Sequence, residues 1–350
     1  MKVACITDQH FGARNDSLVF SNYFKKFYKE VFFPYIDANN IRTIIDLGDT
    51  FDHRKYINYN ILDKTNSMWF DQIAERGLQL HALVGNHDAY FKNTNGINSV
   101  GLLSGQKKNV FTYDKVEEVE IDGLKILFIP WINPENIEES LQRIEDSECK
   151  VGFGHLEING FQLNSTMIAK QGLNASLFNK FDSMYTGHFH KKSDNGTIFY
   201  LGTPYQINWN DYGETKGFHI FDTVTLEMEF IPNPNSMFEK IFYDDSAQNF
   251  DDFDVEPYDQ KIIKVVVTQK TDLYKFDRFL VRLYNDIDAV DINVIEASDF
   301  ETSAFEELGE VDDTLTLINR CVESIESSTI DTYKLQKRLT DLYSEASELI

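Results

Sequence analysis

The sequence predicts an α/β architecture in which a mixed sheet is layered between helices. Three observations carry that expectation. Short β-branched runs alternate with helix-period stretches, polar motifs follow at the C-terminal ends of those runs, and 350 residues at 42% hydrophobic content can bury one large core beside a smaller one. Ligands of open α/β sheets gather outside the carboxyl ends of strands, so motif placement and periodicity agree.

Buried strands are expected at residues 2–7, 43–47, 79–84, 125–129, 150–153, 183–186, 197–201, 217–221 and 227–231. Helices are expected at 19–37, 61–76 and 134–145, and the close spacing from 197 to 231 suggests antiparallel strands completing the sheet. Pro232, Asn233, Pro234 and Asn235 then punctuate the chain. The expected division is a main domain at 1–231, a small unit at 232–298, an acidic linker at 299–313 and a helical tail at 314–350. Within the small unit, a strand at 261–268, a helix at 273–286 and a strand at 291–296 make a module suited to act as a cap. In the tail, Leu315, Ile318, Val322 and Ile325, and then Leu335, Leu339, Leu342, Ala346 and Leu349, recur at helical spacing. Two such short helices cannot bury their stripes alone, so they either fold back on the body or grip a partner helix.

Composition narrows the function classes. Cys5, Cys149 and Cys321 are odd in number and lack CxxC spacing, which argues against a disulfide framework and a zinc-thiolate site. The apolar run before Asp8 is too short for a signal peptide, and no run of about 18 apolar residues occurs. A soluble, cytoplasmic protein with no membrane partner is the expectation. The formal charge is −24, and residues 243–350 hold 26 acids against 10 bases. Such a chain does not gather a polyanion by its overall field. Bound metals, a basic partner or a local basic rim would have to compensate, and Arg14, Arg54, Lys55, Lys191 and Lys192 lie near the motifs.

Six of the eight histidines fall in five motifs that begin where apolar runs end. They are Asp8-Gln9-His10, Gly48-Asp49-Thr50-Phe51-Asp52-His53, Gly85-Asn86-His87-Asp88, Gly154-His155 and Gly187-His188-Phe189-His190. Residues two apart on a strand share a face, which pairs Asp8 with His10 and His188 with His190. Asp49 follows a glycine at a strand end and has two oxygens with which to bridge two cations. Asn86 offers a neutral amide oxygen, while His87 is aimed differently and suits a phosphate contact or a proton donor to a leaving oxygen. Asp88 could orient or charge the His87 imidazole, and Asp46 and Asp52 suit supporting hydrogen bonds. Any one of these histidines alone is more often structural than ligating, but five ordered strand-end clusters are hard to explain that way. His81 and His219 have no such neighbours and are assigned structural roles. A mixed oxygen and nitrogen set without cysteine favours manganese or iron over magnesium and zinc, with manganese the first expectation. Two such ions about 3.5–4 Å apart activate a water and clamp a phosphoryl group.

These motifs, over residues 1–231, resemble the calcineurin-like metallophosphoesterases. GDTFDHR, GNHD and GHFH are similar to the SbcD-type nucleases of double-strand-break processing complexes. Protein phosphatases of the superfamily tend instead to carry arginine where His53 stands, and GNHE for GNHD. Ile129-Pro130-Trp131, Gly154 to Gly160 and Gly202-Thr203-Pro204-Tyr205 look closer to the recombination endonuclease subunits of T4-like phages.

The resemblance implies a four-layer sandwich of mixed sheets between helices, followed by a small α/β capping domain and C-terminal helices. It implies one metal on Asp8, His10, Asp49 and His190, a second on Asp49, Asn86, His155 and His188, and His87 serving the leaving group. Asp88 and His53 join His87 as candidate catalytic residues. The expected activity is DNA exo- and endonuclease cleavage in recombination and break repair. The expected assembly is a homodimer whose terminal helices bind an SMC-like coiled-coil ATPase. A phosphatase or cyclic-nucleotide phosphodiesterase on the same fold would differ by acting on small phosphate esters and not on DNA. A catalytically idle scaffold for the ATPase would differ by binding no metal.

Overall fold

The computed structural model describes residues 1–104, 107–162 and 167–296, with the single positions 322, 335, 338 and 339. The expected linker at 299–313 lies outside the described residues, as does the tail at 314–350 apart from those four positions. Two six-stranded sheets dominate. In the first, the spatial order is Met228–Pro232, Gly217–Asp222, Lys2–Ile6, Thr43–Asp46, Gln79–Leu83 and Val110–Tyr113. The last four run parallel, and the first two add on as an antiparallel pair. The second sheet runs Ser193–Asp194, Ile198–Tyr200, Ser183–Gly187, Val151–His155, Leu124–Ile129 and Glu117–Ile121, with four parallel strands between antiparallel edges. Between 197 and 231, then, only Gly217–Asp222 and Met228–Pro232 form the expected antiparallel hairpin, because Ile198–Tyr200 continues the parallel register of the second sheet.

Alternation along the strands builds the layers. Val3, Cys5, Ile45 and Leu83 of the first sheet meet Ile126, Phe128, Val151 and Phe153 of the second in one core. Their neighbours Ala4, Ile6, Ile44 and Leu80 face outward, onto helices that carry Phe20, Phe24, Phe27 and Trp69. On the far side Leu127 and Ile129 pack against Ile144 and Phe178. The result is the expected four-layer order of helices, sheet, sheet and helices.

The helices expected at 19–37 and 61–76 are each interrupted by a π-helical turn. The first runs Leu18–Phe27, Tyr28–Phe32 and Phe33–Ala38, and the second Tyr59–Thr65, Asn66–Phe70 and Asp71–Glu75. The extra residue in a π turn re-aims the apolar face, so that Phe27, Tyr28, Phe32 and Phe33 are all buried. Tyr28 and Phe32 meet Trp69 of the second π turn at ring separations of 5.2 and 5.5 Å. Strands Val110–Tyr113 and Glu117–Ile121, and the hairpin Ala89–Phe91 with Thr94–Asn98, were not expected from apolar runs. Val110–Tyr113 and Glu117–Ile121 lie at sheet edges, the hairpin forms a two-stranded sheet of its own, and Glu117–Ile121 interposes three glutamates among its residues.

Beyond Pro232 stands a three-stranded parallel sheet, Phe238–Asp244, Ile262–Gln269 and Asp291–Glu296. Helix Leu273–Asn285 crosses between the last two strands, and its N-terminus is capped by Asp272, which accepts from Tyr274 and Lys275 N–H. Ile241, Tyr243, Ile263, Val265, Phe276, Phe279 and Leu283 give it a separate core. Strand Phe238–Asp244 escapes a reading by apolar runs because Glu239 and Lys240 break its pattern. Its start is tied to the main body, since Met237 and Phe238 belong to the core beneath the first sheet's helices. No helix among the described residues is long and apolar enough to cross a membrane.

Candidate metal centre

All five motifs converge at the carboxyl ends of the two sheets. Asp8, His10, Asp49 and Asn86 come from turns of the first sheet, and His155, His188 and His190 from the second. Among the described residues, three groups of side chains bring ligand atoms within 4.8 Å of one another: Asp8, His10 and His190; His10, Asp49 and His87; and Asp49, His155 and His188. His10 and His190 face each other Nε2 to Nε2 at 3.1 Å. Asn86 Oδ1 lies 2.9 Å from His155 Nε2 and 2.8 Å from His188 Nδ1. Asp49 sits between the two sets, its Oδ2 3.9 Å from His10 Nε2 and 3.3 Å from His155 Nε2.

The backbone that delivers these groups is not the extended strand suggested by their spacing. Asp8, His10, Asp49 and His188 adopt left-handed φ values of 52°, 46°, 55° and 90°. Non-glycine residues rarely hold such angles, and a cluster of them marks a turn imposed by the surrounding fold. Strand Lys2–Ile6 has already ended, so Asp8 and His10 meet through turning and not through strand alternation. His188 and His190 likewise separate into different groups, while Phe189 turns into the core against Tyr200 at 4.6 Å. Gly48 has φ 105°, and a Cβ there would meet Gly85 N and His155 Nδ1 at 2.8 Å. A Cβ on Gly85 would overlap the Asp49 carboxylate.

A second tier of residues holds the first. Asp88 is wholly buried and accepts hydrogen bonds from the backbone N–H groups of Asp49, Thr50, Phe51 and Gly85, and from Ser99 Oγ. This corrects the expectation that Asp88 orients His87: its oxygens are committed to the two loops, leaving the Asp52 carbonyl to accept from His87 Nδ1 at 2.6 Å. Asp46 plays the supporting part expected of it, accepting from Gln9 Nε2 at 2.7 Å and Thr50 Oγ1 at 2.8 Å. Tyr28 donates to Gln9 Oε1 at 2.5 Å and Tyr205 to the Gln9 carbonyl at 2.6 Å. Sequence reading assigned no role to Gln9, Tyr28 or Tyr205. Gln9 and Tyr205 carried a signal in their places inside quoted motifs, and Tyr28 carried none.

The electrostatics fit divalent cations. Burial opposes charge on His10 and His155, yet the carboxylates Asp49 and Asp8, with Asp52 beside His10, hold both up at about 9. Burial and the neighbouring His155 charge push His188 down to about 3, and burial with the His10 charge lowers His190. Burial opposes charge on Asp49 as well, but His155, His87 and His10 draw it well below the usual carboxylate range. His190 Nδ1 is buried with no hydrogen-bond partner, and His10 Nδ1 lies 3.1 Å from Asp52 Oδ1 without an aligned bond. Imidazole lone pairs aimed at each other among buried carboxylates are the donor set of a cation site.

A cleft of about 240 Å3 opens over this centre, lined by His10, Asp49, Asn86, His87, His188 and His190 and walled by Arg14, Asn15, His53 and Asn208. His53 stands at its side, stacked on Tyr56 at 4.6 Å, with Asp16 3.6 Å from Nε2 and Asp52 3.8 Å from Nδ1. Of the expected basic rim, Arg14 lines the cleft, whereas Lys191 pairs with Glu214 at 3.4 Å and Lys192 lies 3.1 Å from the Phe230 ring centre. His81, within 2.8 Å of Tyr113 Oη, and His219, beside Phe230, stay outside the cleft as expected.

Comparison with known proteins agrees with this geometry. The family model described as calcineurin-like phosphoesterase matches residues 1–192. Exonuclease subunit 1 of Enterobacteria phage T4 is 30% identical over 352 residues, covering 99% of this chain and 100% of that relative. A solved archaeal phosphodiesterase aligns with 67% of this chain and 100% of its own at 15% identity and a TM-score of 0.33, too low to bear on the fold.

Proposed function

The chain belongs to the calcineurin-like phosphoesterase family, and from that premise we propose that it is a DNA nuclease hydrolysing phosphodiesters with two divalent cations. The observation that carries this reading is the convergence of two ligand groups that each draw on both sheets, Asp8-His10-His190 and Asp49-His155-His188, with Asp49 Oδ2 3.9 Å from His10 Nε2 of the first group. One cation is assigned to Asp8, His10, Asp49 and His190, and the other to Asp49, Asn86, His155 and His188, with manganese the favoured ion. The chemistry such a pair supplies is Lewis acidity, which polarises a water and screens the phosphate.

The chain's own residues supply orientation and a proton. Asp49 is fixed twice, by its N–H to Asp88 Oδ2 at 2.8 Å and by the His87 N–H to its Oδ1 at 2.7 Å. The carbonyl of Asp52 accepts from His87 Nδ1, which assigns the proton to that nitrogen and leaves Nε2 for the substrate. As an imidazolium, His87 passes its Nε2 proton to the departing sugar oxygen. His53, stacked at the cleft wall, is assigned to substrate contact, and Asp88 to holding the loops.

DNA as substrate is supported by the GDTFDHR, GNHD and GHFH motifs and by the near full-length match to a phage exonuclease subunit. The name of that relative also supports a partnered state. We assign 232–298 to a cap and the stripes of 314–350 to an SMC-like ATPase, in a homodimeric complex in the host cytoplasm. The test is cleavage of single- and double-stranded DNA ends with Mn2+, with and without the ATPase. Hydrolysis of an aryl phosphate or cyclic nucleotide with no DNA cleavage in either arm would overturn the reading.

A further inference from the structure

Lys216 is a buried ammonium that the assigned chemistry does not use. Its side chain is 3% exposed, and its three N–H groups meet three partners: the His190 carbonyl at 2.8 Å, Asp211 Oδ1 at 2.6 Å and Glu214 Oε2 at 3.0 Å. Burying an ammonium is costly unless it is paired this fully. The chain of bonds then continues. Asp211 Oδ2 accepts from Ile207 and Asn208 N–H at 2.8 and 3.1 Å, and both residues line the cleft. Gln206 Nε2 donates to the Asp211 carbonyl at 3.0 Å, while its Oε1 accepts from Met237 and Phe238 N–H at 2.8 and 2.9 Å. Those last two residues open the three-stranded unit, since Phe238 begins its first strand. Buried hydrogen bonds from the second unit to Asp211, the Lys216–Asp211 ion pair and the part-buried Lys216 bond therefore reach the backbone of a cation-site histidine.

We propose that Lys216 is a positioning residue for His190, through which the seating of the second unit sets cation affinity at the Asp8, His10, Asp49 and His190 site. This rests on the ligand role assigned to His190. The Nε2 of that residue must meet His10 across 3.1 Å, and its own Nδ1 has no partner to steady the ring. Its carbonyl is steadied instead, by Lys216 and by the Thr203 N–H at 3.1 Å. Removing an outer partner of a metal ligand typically weakens metal affinity by about 10–100-fold.

The test is calorimetric titration of the full chain with Mn2+ alone, with folding checked by circular dichroism. Lys216→Met is expected to weaken binding about tenfold in the parent but less than about twofold in a His190→Ala background, the non-additivity of residues acting through one another. Gln206→Met, remote from the ammonium, is expected to weaken binding in the same direction and carries the test if Lys216→Met does not fold. Equal losses in both backgrounds, or parent-like affinity in either single variant, would overturn the proposal while leaving the ligand assignment intact. A parent chain that takes up no Mn2+ would instead overturn the ligand assignment, and this proposal with it.

Discussion

On the proposed reading, loss of the His87 side chain separates chemistry from metal binding. His87→Ala is expected to keep its Mn2+ and to lose DNA hydrolysis by about 10²–10⁴-fold. Metal content per chain beside steady-state turnover checks this, and loss of metal would place His87 among the ligands. Protons give a second prediction. His10 and His155 are held up at about 9, so below that pH they keep protons that must leave before they can ligate. Mn2+ affinity should therefore climb from pH 6 toward pH 9, with proton release visible as a dependence of binding heat on buffer. A flat affinity profile across that range would count against both histidines as ligands. At this scale the sequence was legible where chemistry and order coincide: Asp8, Asp49, Asn86 and four histidines stand in the cleft or against it. It was not legible where partners lie far apart in the chain, as with Gln9 and Asp46 or Lys216 and His190. Nor did motif spacing reveal the left-handed turns, because Asp and His give no composition signal for them as Gly does.

At the scale of elements, the loops after Thr43–Asp46 and Gln79–Leu83 behave as one piece. Asp88 ties them, and truncating it strands four buried backbone N–H groups. Asp88→Ala is expected to cost on the order of 3 kcal/mol in denaturant unfolding and to lower metal content as well. Parent-like stability would show that water replaces the carboxylate. Gly85→Ala attacks the same junction differently, by driving a methyl into the Asp49 carboxylate. It should leave far-ultraviolet circular dichroism unchanged while abolishing uptake of two Mn2+ per chain. Central strands such as Lys2–Ile6 and Thr43–Asp46 were legible because burial on both faces leaves an unbroken apolar run. Edge strands such as Glu117–Ile121 are half-solvated and read as loop, and π turns read as ordinary helix because a one-residue insertion barely disturbs the apolar period.

The whole molecule carries a net charge of −24, and near the cleft Lys191 pairs with Glu214 while Lys192 lies over the Phe230 ring. The chain alone should therefore hold duplex DNA no more tightly than about 10 μM at physiological salt. Fluorescence anisotropy measures this, and tighter binding without a partner would reveal a basic surface elsewhere. The fold class was legible from alternating elements, but the full topology of the unit beyond Pro232 was not, since Phe238–Asp244 hides its apolar residues among charges.

The ligand groups Asp8-His10-His190 and Asp49-His155-His188 each draw on both sheets, which has a consequence for how the molecule is made. Neither sheet by itself owns a complete binding site, so a half-assembled chain has little with which to compete for cations. Under the proposed two-cation assignment each ion is a rivet whose holes align only after the halves have closed, and the strength of the rivet is added to that of the closed form. Loading with Mn2+ at about 100 times its dissociation constant should stabilise the fold by about 2.7 kcal/mol. On that assignment the supply of metal in the cell governs how long the finished phosphoesterase lasts as well as how fast it turns over.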